Sequence, residues 1–121
     1  METTLSKGNR IAAWVLSGLV TALLVMSAMA KFFAPEMAAN FAKWNLGDWR
    51  VIIAIGEIVS ALLFLVPLTH RVGLLLLSSY FGGAIMVHMS HGEPFTAPAA
   101  ILVFVWVTAL VRDPKRLGFK A

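Results

Sequence analysis

Four apolar stretches, separated by short polar breaks, dominate the chain. They span about residues 11–30, 51–67, 72–89 and 95–111. The first holds about 20 residues, which at about 1.5 Å of rise per residue matches the hydrocarbon thickness of a bilayer. This length favours a retained helix over a cleaved signal peptide. Four membrane-spanning helices are therefore predicted, in one domain covering residues 1–121.

The breaks between the stretches predict how the helices are arranged. Leu68-Thr69-His70-Arg71 is the whole connection between the second and third spans, so these two helices should be antiparallel neighbours. The longer first break has Met37, Phe41 and Trp44 at helical spacing. A short helix over Glu36–Trp44, lying in the membrane interface, is predicted there. The predicted fold class is an all-α integral membrane protein, a bundle of four transmembrane helices.

Composition supports lipid rather than water as the main solvent. Apolar residues make up 60% of the chain and charged residues 13%, against roughly a quarter charged in an ordinary soluble domain. A soluble protein of 121 residues has too little interior for that much apolar surface. The net charge of +4 comes from basic residues beside the apolar stretches, which the positive-inside rule explains without a nucleic-acid partner. The absence of cysteine excludes disulfides and thiolate chemistry.

The distribution of Lys and Arg predicts the orientation of the chain. Seven of these residues lie on the side of the N-terminus, the second break and the C-terminus, against three on the other side. Because positive residues accumulate on the cytoplasmic side, both termini are predicted to be cytoplasmic.

Glu57 lies inside the second apolar stretch and is the most informative single residue. A carboxylate at such a position costs about 2.5–3.5 kcal/mol on insertion scales, and such residues usually face the interior of a bundle. Ser60 and Ala61 share its helix face and would admit a neighbouring helix. In the third span, the pairs Ser78/Gly82 and Ser79/Gly83 likewise predict close helix packing.

The predicted topology brings several polar residues together in the outer half of the bundle. Lys31 ends the first span and Arg50 begins the second. Glu57 lies within the second span, and His88 lies near the outer end of the third. The loop between the third and fourth spans, with His91 and Glu93, would close over them. No comparable buried charge is expected in the inner half. The predicted binding residues are Glu57, His88, Lys31, Arg50 and Tyr80.

Glu57 admits three interpretations on the sequence. It could pair with Lys31 or His88 and hold the register of the bundle, help to bind a polar head group, or carry a proton across the membrane. His88, His91 and Glu93 offer at most a loose metal triplet, so no metal site is predicted. No nucleophile–base constellation stands out, and no catalytic residue is assigned.

A set of short motifs occurs in a characteristic order along most of the chain. They are Ser17-Gly18, Lys31-Phe32, Ile55-Gly56-Glu57, Pro67, Gly82-Gly83-Ala84-Ile85, His88, Trp106 and Arg112-Asp113-Pro114. By these motifs the chain resembles, from about Leu16 to Pro114, the DoxX-like family of small bacterial membrane proteins. The resemblance implies a four-helix bundle in the bacterial cytoplasmic (inner) membrane. It also implies a link to redox systems for some members, for example as subunits of thiosulfate:quinone oxidoreductase.

Three functions are therefore open. The first is an accessory or non-catalytic subunit of a quinone-linked membrane redox system, with a quinone or isoprenoid-like ligand in the outer pocket. The second is a small proton-coupled transporter that uses Glu57. The third is a structural or interaction protein without a ligand. The expected partners are the lipid bilayer and either a redox protein or a second copy of the chain, and a self-sufficient enzyme is not expected.

Overall fold

The computed structural model describes residues 7–114, and all regular secondary structure in this part of the chain is helical. A short 3₁₀ turn, Gly47–Trp49, leads into the third helix, and another, Pro67–Thr69, leads into the fourth. The predicted all-helical class is thus confirmed. The five α-helices within residues 7–114 are α1 Lys7–Phe33, α2 Pro35–Lys43, α3 Arg50–Leu65, α4 His70–Ser90 and α5 Thr96–Arg112.

The short helix predicted in the first break is present as α2. Pro35 occupies its first turn, where the missing backbone N–H does no harm. Ala34 before it is extended, which is the conformation that a following proline favours. One extended residue therefore separates α1 from α2 and lets the chain fold back across the end of α1.

The four long helices close into a ring of contacts around a single apolar core. Helices α1 and α4 make little contact with each other, but each packs against both α3 and α5. Helix α2 packs on α1. Antiparallel packing of α3 and α4 follows from the short connection between them. The buried core cluster consists of Val20, Leu24, Ala61, Phe64, Leu74, Leu77, Phe81, Val105 and Ala109.

The outer surface of the helices is also apolar. Within residues 7–114, two helical segments are long and apolar enough to cross a membrane, Lys7–Phe33 and Pro67–Ser90. Only 28% and 22% of their most apolar windows are buried, whereas a core helix of a soluble protein would be mostly buried. Helix α5 is apolar but has 17 residues, and α3 has 16. Leu19, Met26 and Leu75, for example, are all more than half exposed. Such a surface is suited to lipid rather than to water.

Close backbone packing occurs at Gly73 rather than at the small-residue pairs of the third span. A Cβ atom added at Gly73 would overlap the backbone of Phe64, so α4 can approach the end of α3 only with glycine there. A Cβ at Gly82 or Gly83 meets nothing within 4 Å among the described residues. The prediction of close packing at those two glycines is therefore wrong, because they do not face a neighbouring helix closely.

Arg112 and Asp113 are buried at the end of the molecule where α3 and α5 terminate. Their exposed fractions are 2% and 8%, so the expectation of no comparable buried charge in this half is wrong. The guanidinium of Arg112 donates through Nη1 to the carbonyl of Phe64 and through Nη2 to that of Leu65, at 3.0 Å in the second case. These carbonyls end α3 and have no partner within their helix, which explains why a buried cation is stable there.

Candidate functional site

Glu57 is fully buried where α1, α3 and α4 meet. Its Oε1 accepts hydrogen bonds from Lys31 Nζ at 2.8 Å, Tyr80 Oη at 3.3 Å and Ser27 Oγ at 3.4 Å. Ser27 and Lys31 lie one turn apart on the same face of α1, and Lys31 Nζ also donates to Ser27 Oγ at 2.9 Å. Of the two partners expected for Glu57, the structure thus places Lys31 against it.

The local sequence explains why Glu57 faces inward. It is buried together with Ala54, Ser60, Ala61 and Phe64, which recur at helical spacing along one stripe of α3. The Ser60 hydroxyl donates a hydrogen bond to the carbonyl of Gly56 at 2.7 Å, so it is not available to the Glu57 carboxylate. The predicted interior face of this helix is therefore the observed one.

The Lys31–Glu57 pair is almost completely removed from solvent. The exposed fractions of the two residues are 6% and 0%. Burying either charge alone would be very costly, but the pair offsets that cost through direct contact and hydrogen bonds. Glu57 Oε2 has no hydrogen-bond partner among the described residues. The carboxylate is thus anchored through one oxygen only.

Arg50 lies beside this pair without joining it. Its Nη1 donates to the backbone carbonyl of Lys31 at 2.6 Å, near the C-terminal end of α1. A cation at that position satisfies an unpaired carbonyl and opposes the negative end of the helix dipole. Arg50 thus holds α1 and the start of α3 together at the level of the ion pair.

His88 belongs to a second polar group, centred on Glu93. Trp44 Nε1 donates to Glu93 Oε1 at 2.9 Å, and Lys43 Nζ donates to Glu93 Oε2. His88 Nδ1 lies 3.3 Å from Glu93 Oε1, and its ring meets that of Trp44 edge-on with centroids 5.1 Å apart. His91 lies outside this group, exposed and bonded to the carbonyl of Val87.

The environment of Glu93 favours its ionised form. The hydrogen bond from Lys43 lowers the pKa of the Glu93 carboxyl, partly opposed by desolvation and assisted by the Trp44 bond and the charges of Lys43 and His88. Glu93 lies in the connection between α4 and α5, and Lys43 and Trp44 lie at the end of α2. The ionised Glu93 carboxylate therefore links the end of α2 to the connection between α4 and α5.

A cavity of about 560 Å³ lies between the two polar groups. Three of the five predicted site residues line it, Lys31, Tyr80 and His88, whereas Glu57 lies behind Lys31, and Arg50 is not part of the lining. The volume falls within the usual range of small-molecule pockets, about 300–1,000 Å³. The remaining lining residues are Ser27, Met37, Asn40, Phe41, Trp44, Leu46, Ile53, Ser79, Phe81, Gly83, Ala84, Val87, Ala97, Pro98 and Ile101.

Sequence reasoning missed two contributions to this cavity. Ser27 was one polar residue in an apolar span, and its i, i+4 relation to Lys31 was the signal that could have found it. Asn40, Phe41 and Trp44 lie on or just after α2 and line the cavity, whereas the helical spacing of this segment predicts only a helix in the membrane interface. Within residues 7–114, no three His, Asp or Glu side chains come together in a way that could hold a metal ion.

Comparison with known proteins finds a matching family but no individual relative. No curated protein and no solved structure matches the chain. A family model, however, matches residues 15–111, which is most of the chain and includes every helix that contributes to the cavity. The chain therefore belongs to the DoxX-like family.

Proposed function

We propose that this protein crosses the bacterial cytoplasmic membrane four times and binds a lipid-soluble ligand in the cavity beside the Lys31–Glu57 pair. Family membership and the two long apolar helices support a membrane location. The apolar residues that face outward around the ring of helices support it further. Helices α3 and α5, at about 1.5 Å per residue, are about 24–26 Å long, close to the short end of what a bilayer accepts.

The proposed orientation puts the cavity in the outer half of the membrane. The Lys and Arg count of seven against three supports cytoplasmic termini. With this orientation Lys31 and the loop carrying Glu93 face outward, and Arg112 faces the cytoplasm. The proposed ligand would then enter from the outer leaflet or from the lipid itself.

The cavity's chemistry is the observation that carries the proposal. Its wall is mainly apolar, with a buried ammonium at Lys31 and the hydroxyl of Tyr80 beside it. Pockets of this kind bind a mostly apolar molecule and orient it by a few polar contacts. A quinone or an isoprenoid with a polar head has this composition, and its head group would meet Lys31, Tyr80 and, towards the second polar group, His88.

The proposed biological role is that of an accessory or non-catalytic subunit of a quinone-linked redox system. Its support is the role that the DoxX-like resemblance implies for some relatives, together with a cavity suited to such a ligand. A redox protein or a second copy of the chain would be the partner. The chain's own residues would hold and orient the head group and keep water from it.

A proton-coupled transporter is the second candidate. The observation that favours it is Glu57 Oε2, a buried carboxylate oxygen without a hydrogen-bond partner among the described residues. Intramembrane carboxylates of this kind often carry protons. In this alternative Lys31 and Glu57 would exchange a proton during transport, and uptake assays in vesicles would show flux that depends on Glu57.

The ligand is tested by native mass spectrometry of protein extracted in the mildest workable detergent. A co-purified quinone or isoprenoid should be retained by the native chain and by the exposed-site control Lys7→Met, and lost on Lys31→Met or Tyr80→Phe. Equal retention by all four proteins, or no retained lipid-soluble molecule in any of them, would contradict the proposed site.

Topology is tested separately with cysteine labelling, since the chain has no cysteine of its own. A membrane-impermeant thiol reagent added to intact cells should label Ser90→Cys, on the proposed outer side, and not Leu68→Cys. Both positions are exposed, so the difference would report sidedness rather than burial. The reverse labelling pattern would contradict the proposed orientation.

A further inference from the structure

We infer that the cavity selects ligands whose polar head group is uncharged and accepts hydrogen bonds, such as a ketone, quinone or ester carbonyl, and rejects carboxylates and amines. This inference rests on the proposed function, because it concerns which molecules the same cavity would bind. It follows from the hydrogen bonds and the sum of charges at the cavity wall.

Lys31 supplies the hydrogen-bond donor. Among the cavity-lining residues that the structure describes, it is the one Lys, Arg, Asp or Glu. An ammonium has three N–H groups, and Lys31 donates to two side-chain oxygens, those of Ser27 and Glu57. The third N–H has no oxygen partner among the described residues, and Nζ lies 5.6 Å from the centroid of the Tyr80 ring. A ligand that uses this N–H must be an acceptor.

Glu57 cancels the charge that Lys31 would otherwise present. The two side chains are 2.8 Å apart and buried together. Their summed charge is zero whether the proton stays on Lys31 or moves to Glu57. A carboxylate ligand would therefore lose its water without meeting net positive charge, and that desolvation is unfavourable. If it drew Lys31 away, it would leave Glu57 as a buried, unpaired charge.

The other charged groups nearby do not change this balance. Arg50 does not line the cavity, and its guanidinium faces a carbonyl at the negative end of α1. At the second polar group, Lys43 and Glu93 form an ion pair, and the His88 ring lies beside them. An amine ligand would lie against Lys31, and neither Glu57 nor Glu93 is among the residues that line the cavity.

The test is a competition at pH 8 between three molecules of equal chain length, a long-chain methyl ketone, a carboxylate and an amine. The protein is held in discs of zwitterionic lipid, and the bound amounts are measured by native mass spectrometry and normalised to the amounts in the lipid. The native protein should retain the ketone over each charged molecule by at least about tenfold.

Glu57→Gln provides the decisive comparison, because it leaves the ammonium of Lys31 uncompensated. The preference between ketone and carboxylate should then shift towards the carboxylate by at least about tenfold. Glu36→Gln, an exposed substitution on α2 with the same change of charge, should leave the preference as it is in the native chain. Lys31→Met should lose the ketone without gaining the carboxylate.

Three outcomes separate this inference from the proposed function. Equal retention of ketone and carboxylate by the native protein would overturn the inference while leaving a binding cavity. An unchanged preference in a folded Glu57→Gln protein would overturn it as well. If the native protein retained none of the three molecules, the proposed function would fail, and the inference with it.

Discussion

Arg112, the last residue of α5, donates two hydrogen bonds to the last carbonyls of α3, those of Phe64 and Leu65. Its guanidinium also lies over the Phe64 ring, 5.4 Å from the centroid. The two preceding carbonyls of α3 are satisfied locally, Leu62 by the N–H of Val66 and Leu63 by the hydroxyl of Thr69. All four carbonyls that α3 leaves unpaired at its end thus have partners.

The first prediction concerns this cap. Arg112→Leu should lower the free energy of unfolding in detergent by about 1–3 kcal/mol, because it leaves the carbonyl of Leu65 without its donor. Arg112→Lys should recover only part of that loss, since a lysine ammonium lacks the planar fork that reaches two carbonyls. Unfolding by a denaturing detergent measures both effects. The exposed control Arg71→Leu should stay within about 0.5 kcal/mol of the native chain. If Arg112→Leu also stayed within that range, Arg112 would not be stabilising the end of α3.

The second prediction concerns the Lys31–Glu57 pair. Lys31→Met and Glu57→Leu should each destabilise the fold by up to about 3–5 kcal/mol, because each leaves a buried partner unpaired. The double variant should lose clearly less than the sum of the two single variants. A double-mutant cycle in detergent gives this coupling, and strictly additive losses would mean that the two side chains do not interact. Unchanged melting and unchanged ligand retention in Glu57→Leu would exclude both a structural and a binding role.

The third prediction concerns the pH dependence of the link between α2 and the α4–α5 connection. The pKa of Glu93 is lowered in the folded protein from its usual 4.5, chiefly by Lys43. Its contribution is therefore fully present above pH 4.5 and is lost as the pH falls through the lower, folded value. The melting temperature of the native chain should exceed that of Glu93→Gln at neutral pH, and the difference should shrink in acid. A difference that grew in acid would contradict this account, and Glu36→Gln is the matched control.

The fourth prediction contrasts two glycines of α4. Gly73→Ala should destabilise the protein by more than about 1 kcal/mol, because the added methyl group overlaps the backbone of Phe64 and must push α4 away from α3. Gly82→Ala should be neutral or stabilising by up to about 1 kcal/mol, since alanine favours helix and the space is open. Thermal unfolding of the two variants tests this directly. Equal effects would show that the contact at Gly73 does not limit the approach of the helices.

Much of the fold was predictable because its causes are local. Apolar stretches of helical length predicted α1, α4 and α5, and the spacing of Met37, Phe41 and Trp44 predicted α2. The inward face of α3 also followed from spacing, because Glu57, Ser60 and Ala61 recur on one side of a helix. Each of these signals lies within a few turns of chain.

The sequence by itself therefore determined the helical class, the family and the inward position of Glu57. Only the tertiary structure decided which side chains meet between helices. It pairs Lys31 with Glu57, brings His88 beside Glu93, and places Arg112 on the end of α3. The physical reason is that such contacts depend on how each helix is rotated and how its ends are aligned with its neighbours. A rotation of one residue, about 100°, would move any of these side chains to another face, and the local pattern does not specify the rotation that closely.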